Sequence, residues 1–150
     1  MSLSIGERAP EFTLASSGGG TTSLSDHLGH PVVLVFYPGD DTPVCTKQLN
    51  TYNDGLEQFE QLDAQVIAIS AQSVESHDRF SGKHGFKFPL LADTDKKVAA
   101  LYGTLGPIGF PRRSVFVIDS PGVVRYAHRA IAGLTFRPVA ELVEVIQNLR

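Results

Sequence analysis

The chain has 150 residues, 42% of them hydrophobic and 19% charged, with a formal net charge of −3. That length and balance suit a single globular domain over residues 1–150, able to bury roughly 70% of the surface its unfolded chain would expose. With no block of like charges and no apolar run near the roughly 20 residues of a bilayer span, neither nucleic acid nor a membrane is expected as a partner.

Residues 1–7 carry neither a basic segment nor an apolar signal core, so a cytoplasmic location is expected. Cys45 is the single cysteine. An intramolecular disulfide is thereby excluded, as is a metal site built on several thiolates of one chain. Any redox cycle through Cys45 needs a thiol from another molecule.

In chain order, Gly18-Gly19-Gly20 reads as the turn of an N-terminal β-hairpin, between two short edge strands at residues 11–14 and 21–23. Residues 32–37 are continuously apolar and rich in β-branched side chains, as in a strand covered on both faces. A helix follows, with Leu49, Tyr52, Leu56 and Phe59 at helical spacing. Residues 66–70 form a second buried strand. Val74–His84 reads as a helix with Ser73 as its N-cap. A shorter helix covers residues 95–102, capped by Asp93 or Thr94.

Residues 103–111 read as a loop. Residues 113–118 and 123–128 form an antiparallel hairpin about the turn Asp119-Ser120-Pro121-Gly122. The last helix starts near Pro138 and buries Val139, Leu142, Val143, Ile146 and Leu149. The β-α-β centre implies a parallel pair with a right-handed crossover, and the closing hairpin adds antiparallel strands. An α/β fold with a mixed central sheet and helices on both faces is the economical solution.

The segment Pro38-Gly39-Asp40-Asp41-Thr42-Pro43-Val44-Cys45-Thr46 joins a buried strand to a helix, where open α/β sheets gather their ligand sites. Cys45 falls in the first helical turn. Free N–H groups and the helix dipole favour an anion there, and helix N-termini lower thiol pKa values. Positions 45, 49, 52, 56 and 59 share one face, so Cys45 should be partly sheltered. Shelter disfavours a charge unless a cation or hydrogen bonds offset it. On these features, inert packing and a reactive nucleophile both stand.

The stretch VLVFYPGDDTPVCT closely resembles the peroxiredoxins, with Pro38, Thr42 and Cys45 filling a Pro-x-x-x-Thr-x-x-Cys pattern. The run Asp40-Asp41-Thr42-Pro43 is most similar to the bacterioferritin-comigratory, or peroxiredoxin Q, class. The opening Gly6-x-x-Ala9-Pro10-x-Phe12-x-Leu14 resembles the family's start. Phe88-Pro89-Leu90-Leu91-Ala92-Asp93 and Arg113-Ser114-Val115-Phe116-Val117-Ile118-Asp119 resemble its later landmarks. Together these cover nearly the whole chain.

The resemblance implies a thioredoxin-like fold and thiol-dependent reduction of hydrogen peroxide and organic hydroperoxides, with no cofactor and no metal. By position, Cys45 is the peroxidatic thiolate, Thr42 orients the peroxide and Pro38 shields the pocket. Arg113 stabilises the thiolate and the departing oxygen. Arg112 stands beside it, but adjacent strand residues face opposite ways, and spacing to Phe116 and Asp119 favours Arg113.

Two departures matter. A resolving cysteine often follows five residues after the first in this class, and here that position is Asn50. A one-cysteine type is implied, regenerated by an external thiol such as thioredoxin, glutaredoxin with glutathione, or another low-molecular-weight thiol. The Gly and Glu common in the family are Val44 and Gln48 here. The oligomeric state is left as monomer or homodimer.

Other candidates are weaker. His27 and His30 lack partner ligands and read as surface residues. His77, His84 and His128 are scattered. Asp40 and Asp41 read as a solvated turn. No phosphate loop and no nucleophile elbow is present. The competing functions are a monothiol disulfide oxidoreductase, and a non-enzymatic peroxide sensor signalling through oxidised Cys45.

Overall fold

The structure is a computed structural model and describes residues 3–106, 109, 111–130 and 135–149. Seven strands pair into one mixed sheet: β1 (Thr13–Ser16), β2 (Thr21–Ser23), β3 (Val32–Phe36), β4 (Gln65–Ser70), β5 (Leu90–Ala92), β6 (Ser114–Ile118) and β7 (Val124–Arg129). Their spatial order is β2-β1-β5-β4-β3-β6-β7. The helices are α1 (Pro43–Asp54), α2 (Leu56–Glu60), α3 (Val74–His84), α4 (Lys97–Leu101) and α5 (Val139–Gln147).

Every residue of β3 and β6 is buried, as their apolar runs require of strands covered on both faces. β3 runs parallel to β4 and antiparallel to β6. Alternation divides its side chains between two cores. Val33, Val35 and Tyr37 pack with Leu49, Tyr52, Phe59, Phe80, Leu142 and Ile146, which come from α1, α2, α3 and α5. Val32, Leu34 and Phe36 pack on the other face with Phe12, Leu24, Val98, Ala99 and Tyr102, from the N-terminal segment and α4. Each fully buried Leu or Phe contributes about 1.5–3 kcal/mol, so tertiary burial more than helix propensity holds α1 on the sheet.

Several boundaries differ from the sequence expectation. The first strand begins at Thr13, not residue 11, and β1 is no edge strand, because Ala15 and Ser16 pair with β5. Phe12 is buried in the second core instead of extending the ladder. β5 has three residues, too few for periodicity to reveal, yet it bridges β4 and β1. The expected single helix through Phe59 breaks at Gly55, where a Cβ would stand 3.0 Å from both methyl carbons of Val139. A short 3-10 turn at Leu24–His27 was not expected.

Elsewhere the local chemistry acts as read. Ser73 Oγ accepts from Ser76 N at 3.1 Å, and α3 ends on Gly85 in the left-handed region (φ 68). By contrast, the cap expected at Asp93 or Thr94 is displaced: α4 begins at Lys97 with Lys96 as its N-cap, and the Asp93 carboxylate accepts from Val98 N and Ala99 N at 3.1 and 2.9 Å. The β6–β7 turn closes with Gly122 N donating to Asp119 O at 2.9 Å. Pro107, Ile108 and Phe110 of the expected loop lie outside the described residues.

Candidate active site around Cys45

Antiparallel register sets Val33 against Val117 and Val35 against Val115. Two residues further along β3 and two residues back along β6, the same face carries Tyr37 and Arg113. α1 starts just beyond this end of β3. Thr42 is its N-cap, with extended backbone, and Pro43 opens the helix. The first intrahelical bond runs from Thr46 N to Thr42 O at 2.9 Å. The amides of Val44 and Cys45 precede it and lie at the positive end of the helix dipole.

Cys45 is 0% exposed, more deeply sheltered than the expected partial cover. The offsetting cation is present. Arg113 Nη2 donates to Cys45 Sγ at 3.4 Å, and Arg113 Nη1 donates to Gln48 Oε1 at 2.6 Å. Both Arg113 and Gln48 are buried. Gln48 lies one helical turn beyond Cys45, so the two share a face of α1. A neutral acceptor there orients the guanidinium through this contact without cancelling its charge.

Arg113 precedes the first residue of β6, and Arg112 turns the other way, as alternation predicts. Arg112 Nε donates to Ala130 O at 3.2 Å, and Arg112 Nη2 reaches Arg129 O at 3.5 Å. Thr42 is exposed and its hydroxyl donates to Gly39 O at 3.1 Å. Pro38 is half-buried. Asn50, at the place of a resolving cysteine, donates to Thr46 O at 3.0 Å and lies 3.3 Å from His84 Nδ1.

One sequence expectation fails. Asp40 is not part of a solvated turn: it is 8% exposed and engages Tyr37, Ser76 and His77. His77, which the sequence leaves among scattered histidines, is 0% exposed. Only Asp41 keeps the solvated role, exposed and 3.6 Å from Lys83 Nζ. Further out from the thiol, Tyr52 donates to Arg137 O at 2.7 Å, and burial pushes its hydroxyl up to about 12. His30 is half-buried at the surface, with Nδ1 2.7 Å from an Asp63 carboxylate oxygen. Among the described residues no cluster of three or more His, Cys, Asp or Glu could hold a metal.

A buried sulfur in the first turn of a helix, in contact with an arginine, is the geometry that a thiol enzyme needs. Residues 5–127 match the AhpC/TSA family, and the chain belongs to that family. Chloroplastic peroxiredoxin Q from Triticum aestivum is 40% identical over 157 residues, covering 98% of this chain and 68% of that protein. A crystal structure of Xylella fastidiosa PrxQ superposes with a TM-score of 0.87 at 31% identity, covering 99% of this chain and 96% of that one. Peroxidoxin BcpB from Mycobacterium tuberculosis gives a TM-score of 0.87 at 30% identity, over 97% of both chains. The fold is thioredoxin-like. Within the family the chain is of the peroxiredoxin Q-like class with a single cysteine, a thiol-dependent peroxidase.

Proposed function

We propose that Cys45 is the peroxidatic nucleophile of this peroxidase, with Arg113, Thr42 and Pro38 as its site residues. The observation that supports this most is the 3.4 Å contact from the Arg113 guanidinium to a fully buried Sγ in the first turn of α1. The thiolate sulfur attacks the terminal oxygen of a hydroperoxide. An S–O bond forms and the O–O bond breaks, so sulfur loses two electrons and the peroxide gains them. The departing alkoxide or hydroxide takes up a proton and leaves as alcohol or water. Arg113 meets the negative charge on sulfur and on the leaving oxygen. Thr42 aligns the peroxide once its hydroxyl turns from the Gly39 carbonyl, and Pro38 excludes water.

The sulfenic acid on Cys45 is then reduced from outside. One thiol displaces water to give a mixed disulfide, and a second releases Cys45 and carries away the disulfide. Thioredoxin, glutaredoxin with glutathione, and small thiols are the reductant classes, acting on a monomer or homodimer. A lone reactive thiol suits a reducing compartment. We place the protein in the cytosol, whereas the wheat relative is named chloroplastic, and subcellular fractionation decides between the two.

The test is rapid-quench oxidation of Cys45 by hydrogen peroxide, followed by turnover with each reductant. Cys45→Ser is expected to fold normally and lose all peroxide reduction; retained activity overturns the reading. Fast oxidation without sustained turnover by any thiol favours the sensor, and disulfide exchange without fast oxidation favours the monothiol oxidoreductase.

A further inference from the structure

The chemistry above leaves one buried polar cluster without a role. Asp40 sits in the loop joining β3 to α1. Its carboxylate accepts from Tyr37 OH at 2.6 Å, Ser76 Oγ at 2.6 Å and His77 Nδ1 at 2.8 Å. Its backbone amide donates to Gln72 Oε1 at 3.2 Å. On the far side of the imidazole, His77 Nε2 lies 3.0 Å from Leu91 O.

A carbonyl oxygen only accepts, so Nε2 carries a proton. Asp40 presents its carboxylate to the Tyr37 and Ser76 hydroxyls and to His77 Nδ1. The pair is a histidine against a carboxylate, with 0% and 2% side-chain exposure. Burial by itself pushes the Asp40 carboxyl up; the hydrogen bonds from His77, Ser76 and Tyr37 outweigh it and hold the group below its usual range.

Buried charges with their partners seldom stabilise a fold more than apolar residues of the same volume, so stability is a poor reason for this pair. Its placement offers another. It ties the loop carrying Thr42 and leading into Cys45 to α3 and β5. Tyr37, which donates to Asp40, also lies within electrostatic reach of Cys45 and packs in the same core. The titratable group in contact with the pair is therefore Tyr37, just past the end of β3, and Cys45 lies within electrostatic reach of Tyr37. Ser76 and Gln72 are its neutral partners, and the Asp41–Lys83 pair lies outside in solvent.

Resting on the reading of Cys45 as the nucleophile, we propose that Asp40 and His77 form a positioning pair for peroxide reduction. They hold the 38–42 loop so that the first turn of α1 presents Cys45 to Arg113, and Tyr37, which donates to Asp40, links the pair to the sulfur. Neither residue touches the peroxide.

The test compares wild type, Asp40→Asn and His77→Gln by rapid-quench oxidation of Cys45 and by the pH profile of its alkylation with iodoacetamide. Both variants are expected to oxidise about tenfold or more slowly at neutral pH, since small misplacements of a nucleophile carry large rate effects. The alkylation midpoints should separate. His77→Gln leaves the buried Asp40 carboxylate without its imidazole partner and moves the midpoint to higher pH, while Asp40→Asn, which carries no charge, leaves it in place or lowers it. Folded variants that oxidise at the wild-type rate, or midpoints that move together, overturn the proposal. If either variant fails to fold, Tyr37→Phe decides, because it keeps the ring and removes a hydroxyl donor. Oxidation slowed about threefold or more supports the proposal, and the wild-type rate overturns it. Wild-type Cys45 that resists peroxide points instead to failure of the function proposed above.

Discussion

Arg113→Ala removes the cation in contact with Cys45 Sγ. At 3.4 Å the gross attraction between a guanidinium and a thiolate is about 5 kcal/mol at an effective dielectric of about 20. Keeping the guanidinium out of water offsets much of that, leaving a hydrogen bond to a charged group worth about 1.5–3 kcal/mol. The expected loss is about 10- to 150-fold in the second-order rate constant for Cys45 oxidation. Arg112→Ala is the matched control. Its guanidinium is committed to the carbonyls of Ala130 and Arg129, so the peroxide step should be close to wild type. Arg113→Lys should fall between, because a single ammonium cannot span Sγ and Gln48 as the planar fork does. Rapid-quench kinetics with each variant at fixed pH measures all three. Equal slowing by Arg112→Ala and Arg113→Ala, or an Arg113→Ala rate indistinguishable from wild type, refutes the reasoning.

Further outcomes follow from other contacts. Gln48→Met keeps the volume but removes the oxygen that Arg113 Nη1 meets at 2.6 Å, so oxidation should slow by about 2- to 12-fold; an unchanged rate shows that Arg113 needs no such anchor. Gly55→Ala brings a methyl to 3.0 Å from the Val139 side chain, an overpacking expected to lower the melting temperature by about 2–10 °C. Val139→Ala in the same chain should recover part of that loss, and failure to do so excludes the steric cause. Asp40 is held below its ordinary value in the fold, so its stabilising contribution is complete above about pH 4 and fades as pH falls through the folded value. In urea titrations, the advantage of wild type over Asp40→Asn should therefore shrink on acidification below about pH 4, and an advantage that grows there contradicts the assignment.

Much of the fold could be read because its strongest signals are local or periodic. The unbroken apolar runs of β3 and β6, the Ser73 cap and the Asp119–Gly122 turn each act within a few residues. The misreadings share a different cause. β5 is three residues long and exists only because β4 and β1 flank it. The break at Gly55 answers to Val139, which approaches from another helix. The start of β1 follows its pairing with β2 and β5, and no single-chain periodicity carries that information.

The same distinction runs through the site. Cys45 joins the buried face of α1 by helical spacing, and Arg113 parts from Arg112 by strand alternation, so both readings follow from local geometry. Asp40 and His77 meet across many residues of chain, from a loop and from α3, and each looks ordinary where it stands. A polar residue in a turn defaults to solvent because most turns are exposed; here α3 packs over the turn, and Ser76 and His77 from α3, with Tyr37 from the end of β3, replace that solvent. The cost of burying a carboxylate makes this a demanding arrangement, since losing any one donor leaves a charge that water can no longer reach. A loop held under that demand has little freedom to drift. It therefore delivers the N-terminus of α1, and Cys45 with it, to a constant position opposite Arg113.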